Sequence, residues 1–98
     1  MTCVLAMAMQ VILWFVPAGE RTTMPAFTII DRFPAVERGW QCGGYSTGDD
    51  RIILATGWPC LAHLKETVQH EWGHRFCWQT WGDSSEACAE AYVRGRGG

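Results

Sequence analysis

The sequence predicts an α+β domain, a small N-terminal β-sheet followed by two helices. Three observations carry this expectation. Runs rich in β-branched and aromatic residues, punctuated by Pro and Gly, fill the first half of the chain. From Cys60 to about Trp78 no Pro intervenes, and Leu61, Leu64, Val68, Trp72 and Phe76 recur at three- and four-residue steps. A shorter alanine-rich segment, Ser84–Gly95, then closes on a glycine. Strands first and helices after is the α+β order, with helices packed on one face of the sheet.

The elements follow in sequence. QVILWFV (Gln10–Val16) reads as a first strand ending at Pro17, and AFTIIDRF (Ala26–Phe33) as a second, bounded by Pro25 and Pro34. ERGWQCGGYSTGDDR is loop or hairpin, with four glycines and an Asp pair. DRIILA (Asp50–Ala55) is a third strand, stopped by Thr56 and Gly57. The first predicted helix starts after Pro59, a residue favoured near helix starts. TWGD (Thr80–Asp83) breaks it. The second helix takes Asp83 as its N-cap and Gly95 as its end. Residues 95–98 form a flexible tail. No internal repeat is visible, and residues 1–98 form one small domain.

Composition narrows the function classes. With 48% hydrophobic and 18% charged residues the chain is globular. Its six tryptophans suit a core built from a few large aromatics. A net charge of -2 argues against a nucleic-acid footprint. Residues 3–16, CVLAMAMQVILWFV, are nearly all apolar but too short for a stable membrane span. Followed by VPA, they also look like the core and cleavage site of a signal peptide. No Lys or Arg precedes the run, so a buried N-terminal element and a cytoplasmic location are favoured over secretion through residues 1–18. The cysteines are Cys3, Cys42, Cys60, Cys77 and Cys88. None forms a C-x-x-C pair, so a cysteine zinc site is not expected. Their number is odd, and removal of residues 1–18 would leave four. A Cys77–Cys88 bridge would clip the two helices together, although spacing alone does not assign pairs.

The chemistry is concentrated in HEWGH. His70 and His74 stand one turn apart on one helix face and can reach one metal ion. Glu71 sits one position round, placed to take a proton from a water that the metal activates. Gly73 permits a neighbouring element to approach. The H-E-x-x-H pattern on a helix is a zinc signature with a mechanism, which favours it over two surface histidines beside a solvated glutamate. His63, in line along the same helix, is read as a packing or surface residue. A catalytic zinc needs a third protein ligand and an open position. Asp83, Glu86, Glu90, Cys77 and Cys88 are the downstream candidates. If WQTWGD turns the chain back, Glu86, in the first turn of the second helix, faces the end of the first helix that carries His74. It also lies three residues after Asp83, where a capping-box glutamate sits. Glu90 is one turn further along the same face.

HEWGH followed by EACAEAY resembles the gluzincin metallopeptidases, most closely the minimal lethal-factor-like branch. The resemblance covers roughly Thr67–Val93. It implies a zincin-like fold, one zinc ion, and hydrolysis of a peptide or protein substrate. It implies Glu86 as third ligand and Glu90 as a neighbour that orients a histidine, or an alternative ligand. Eleven residues separate His74 from Glu86, fewer than is usual in that branch. A tyrosine that assists the oxyanion in some relatives has no clear match, Tyr45 and Tyr92 being the two available. The resemblance also implies that RIILA, beside the helix, is an edge strand to which the substrate backbone adds. The competing function is a zinc-binding regulatory or interaction module with a zincin-like fold and no proteolysis, its fourth metal position closed by a further protein ligand, for example Cys77 or Cys88.

Overall fold

The computed structural model describes residues 2–34 and 41–96, an α+β domain. Helix α1 (Thr2–Phe15) leads into strand β1 (Ala26–Ile30). Strands β2 (Gly43–Ser46) and β3 (Arg51–Ala55) follow, then helix α2 (Leu64–Trp81), entered through a 3-10 turn over Cys60–His63, and helix α3 (Glu86–Gly95). The sheet order is β1-β3-β2. β1 runs parallel to β3, pairing Ala26 with Arg51, and β2 runs antiparallel to it, pairing Gly43 with Leu54.

The core explains the arrangement. α2 turns Leu64, Val68 and Trp72 inward, the helical stripe expected of it, against Ile52 and Leu54 of β3. α1 completes the cluster with Ala8, Ile12 and Phe15, joined by Val16. Trp72, Ile12, Ile52, Leu54 and Val68 are fully buried. At about 1.5–3 kcal/mol for each large apolar side chain buried, this cluster supplies most of the drive to fold. Leu61, the first residue of the expected stripe, falls in the 3-10 turn and is exposed.

Four expectations are corrected. Gln10–Val16 is not a strand but the end of α1 and the residue after it. Ala8, Ile12 and Phe15 follow helical spacing, and among the described residues no strand pairs with them. β3 is the central strand, paired on both sides, so among the described residues the open edge beside α2 belongs to β2. Asp83 is not the cap of α3. Ser85 is, its Oγ accepting from the Cys88 N–H at 3.2 Å, while Asp83 Oδ1 accepts from the Ser85 N–H at 2.8 Å. Finally, Gly95 ends α3 and Arg96 is not loose. It pairs with Glu20 and lies 4.8 Å from the Tyr92 ring centroid. Gly97 and Gly98 of the expected tail, and Glu37–Trp40 of the expected loop, lie outside the described residues.

Two disulfides fasten the α2 region. Cys42–Cys60 ties the start of β2 to the turn before α2, and Cys77–Cys88 ties α2 to α3. Each closes a short loop, worth on the order of 3 kcal/mol in the chain-entropy account. Cys3 is free and exposed. Among the described residues no helix is long and apolar enough to cross a membrane.

Candidate metal centre

α2 ends at Gly82, whose φ of 65° is the left-handed cap that Gly accepts without a Cβ clash. Gly82–Ser85 then turn the chain, and α3 returns along α2. Gly73 sets how closely the helices meet. A Cβ there would lie 2.9 Å from the Ala89 carbonyl oxygen and 3.2 Å from its Cα. Both are backbone atoms of a buried residue, so α3 itself would have to shift. The close approach and the Cys77–Cys88 bridge together place the first residue of α3, Glu86, over the histidines of α2.

His70 Nε2 lies 2.8 Å from Glu86 Oε2, and His74 Nε2 lies 2.8 Å from Glu86 Oε1. The two Nε2 atoms are 3.1 Å apart. His70, His74 and Glu86 thus form a group able to hold a metal ion, one donor from each, all within 4.8 Å of one another. Ligands about 2.0–2.2 Å from a tetrahedral zinc stand about 3.3–3.6 Å from each other. The observed separations of 2.8–3.1 Å would have to open by about 0.2–0.8 Å. The donor set, two imidazoles and a carboxylate, is one that zinc accepts. The residues therefore fit a metal.

The Glu86 side chain is 71% exposed, against 29% for His70 and 13% for His74. Partial burial works against the ionised form of Glu86. The charges of His70 and His74 and their hydrogen bonds outweigh it and hold the carboxyl below the usual carboxylate range. With Ser85 as cap, Glu86 is the first residue of its helix, and the capping-box explanation for it falls away.

Glu71 differs sharply from Glu86. It is buried on the α2 face that meets β2, and a Cβ on Gly43 would stand 3.0 Å from its Cγ and from Oε2. Burial first, and then the charge of Glu86, push its pKa up to about 8. It lines both lobes of the cleft between β2, α2 and α3. One lobe, of about 270 Å³, also takes in Gly44, Tyr45, His74, Trp78 and Glu86. The other, of about 330 Å³, takes in Thr67, His70 and Glu86.

The remaining candidates lie elsewhere. Cys77 and Cys88 are joined to each other, so neither offers a thiolate to the metal. Glu90 is outside the three-residue group and lines a separate groove with Gln69, His70 and Val93. His63 is exposed in the turn before α2. Neither tyrosine offers a free hydroxyl. Tyr45 donates to Asp50 Oδ1 at 2.7 Å, and Tyr92 donates to Glu20 Oε1 at 2.9 Å. Burial and then the Glu20 bond push Tyr92 up to about 12.

Sequence reasoning missed the support behind the site. Arg75, next to His74, is buried and reaches Asp50 twice, Nε to Oδ1 at 2.9 Å and Nη2 to Oδ2 at 3.1 Å. Nη2 also donates to Thr23 Oγ1 at 2.9 Å, and the guanidinium lies 4.8 Å from the Trp72 ring centroid. The only sequence signal was an Arg among the apolar residues of α2.

Comparison with known protein families, curated proteins and solved structures finds no match to the chain.

Gly73→Ala tests the close approach. The added methyl gains about 0.5–1 kcal/mol of helix propensity. Overpacking against the Ala89 backbone costs typically 1–3 kcal/mol, so the net effect is destabilising. Because α3 carries Glu86, metal affinity should fall about tenfold or more. Thermal melting and zinc titration measure both, and unchanged values would remove the contact's importance.

Proposed function

We propose that this chain is a zinc-dependent peptidase of the gluzincin kind. The observation that carries the reading is a three-donor metal group with a buried carboxylate, Glu71, opening into the same cleft. Among the described residues no hydrogen bond occupies that carboxylate. Three protein donors with a free position is the catalytic pattern, whereas structural zinc sites close the fourth. The bridged Cys77 and Cys88 offer no thiolate to close it.

Zinc bound there would polarise the scissile carbonyl and lower the pKa of an attacking water to about 7. The chain's own residues do the rest. His70, His74 and Glu86 hold the ion. Glu71 takes the water's proton and delivers it to the leaving amine, a general-base and general-acid role. Its burial favours a carboxyl that can carry a proton between the two steps. The substrate backbone adds to the open edge of β2, opposite Glu71. The two disulfides favour an oxidising location over the cytoplasmic one preferred from the N-terminus.

The test is zinc stoichiometry by elemental analysis, with hydrolysis of an unstructured protein followed alongside. One zinc per chain and chelator-sensitive cleavage are expected. A zinc held by four protein ligands, with no cleavage, would support the regulatory module instead. A chain without zinc would overturn both.

A further inference from the structure

The open edge of β2 is already partly occupied by the chain itself. Ala55 N–H donates to the Cys42 carbonyl at 2.9 Å, which makes Cys42–Ala55 a hydrogen-bonded pair of the antiparallel ladder. Such pairs alternate with non-bonded ones. With Gly43 opposite Leu54 and Gly44 opposite Ile53, Gly44 and Ser46 therefore turn their backbone groups toward β3. Gly43 and Tyr45 turn theirs outward. These outward groups are the rungs available to an added strand. The carbonyl of Gly43 is taken: the side-chain amide Nε2 of Gln41 donates to it at 2.8 Å. Gly43 is also the residue that abuts Glu71. Gln41 lines both lobes of the cleft, one on each side of this contact. Its backbone is held where it is by the neighbouring Cys42–Cys60 bridge, and its carbonyl faces the Cys60 Sγ at 3.7 Å.

We propose that Gln41 is an affinity-setting residue, an internal latch. Its amide imitates the N–H of an incoming peptide strand at the rung beside Glu71. An extended peptide must displace it to bind. The identity of the incoming strand as a substrate rests on the peptidase reading above; the occupied rung does not. Gln41 is exposed and the bond is between neutral groups, so displacement weakens binding only modestly, by about two- to tenfold. The latch shapes the cleft toward segments that offer an N–H at this rung. A proline there could not replace the bond that Gln41 gives up.

Gln41→Met keeps the length of the side chain and removes the donor. Fluorescently labelled casein, an unstructured protein, is the probe. Its affinity is measured by anisotropy on the zinc-loaded Glu71→Gln protein with and without Gln41→Met, and KM and kcat on the protein with Glu71 intact. Removing the donor should tighten casein binding and lower KM by two- to tenfold, with the change in KM rather than kcat. Gln41→Ala should act in the same direction. Unchanged or weakened binding in both variants overturns the latch. If binding tightens but no chain cleaves casein, the peptidase reading fails and the latch stands. If cleavage occurs with KM unchanged, the latch fails and the peptidase reading stands. If no variant binds casein, both fail.

Discussion

Glu71→Gln is expected to keep one zinc per chain and slow peptide hydrolysis by at least about 100-fold, with 10⁴-fold within the usual range for a general base. Two kinds of side chain on α2 divide the labour. Glu71 is outside the three-donor group of His70, His74 and Glu86, so its charge is not needed to hold the ion. It is the buried carboxyl that opens into both lobes of the cleft. Glutamine preserves its size, and with it the packing against Gly43 and Thr67, but an amide cannot accept and release a proton at neutral pH. Zinc content, a melting curve and the hydrolysis rate should therefore separate: the first two little changed, the third collapsed. Surviving hydrolysis would remove Glu71 from the base role. Loss of zinc together with activity would make it a ligand. His74→Ala serves as the contrast, since it should lose both.

The two helices that carry the site were legible because α2 alternates polar and apolar residues with a helical period, and because HEWGH needs that period for two histidines to meet. Strands β1 and β3 were legible from β-branched runs cut off by Pro and Gly. α1 was not. A segment apolar on every side has no polar contrast from which to read a period, so QVILWFV looked like a strand on residue type alone. Its fate is decided by packing, where Ala8, Ile12 and Phe15 meet α2. β2 was hidden for the opposite reason. GGYS has little strand propensity, and its first glycine is there because Thr67 and Glu71 leave no room for a side chain. For Glu86 the sequence left two explanations standing, ligand and cap. The capping-box explanation fails because Ser85, two residues after Asp83, caps α3.

Asp50→Asn should destabilise the fold by about 3 kcal/mol at pH 7, a large share of the 5–15 kcal/mol typical of a small domain. Arg75 has only 3% of its side chain exposed, and Asp50 is the carboxylate that meets it. Removing one partner of a buried pair costs about 3–5 kcal/mol, because the other charge stays buried without compensation. The Asp50 side chain is 36% exposed, so water screens the loss and the lower end applies. Asp49, one residue earlier, pairs with Arg51 at the surface, and its replacement by Asn should change little. The pH dependence has a definite sign. The hydrogen bond from Arg75 holds the Asp50 carboxyl below its usual range, against some burial, and the Tyr45 hydroxyl adds to the effect. A depressed carboxyl contributes stability that is present above its unfolded pKa of about 3.9 and is lost as pH falls toward the folded value. The gap between the native protein and Asp50→Asn should thus be widest near neutrality and narrow below about pH 4. Melting temperatures across that range measure it, and a gap that is absent at pH 7 or widens in acid would count against the pair. The consequence reaches the metal centre. Asp50 ends the turn into β3 with a φ of 50°, accepts from Tyr45 on β2, and grips the residue after His74. One carboxylate therefore ties strand β2 to the helix that carries His70 and His74. Asp50→Asn should weaken zinc binding as well as stability, while Asp49→Asn leaves both near their native values.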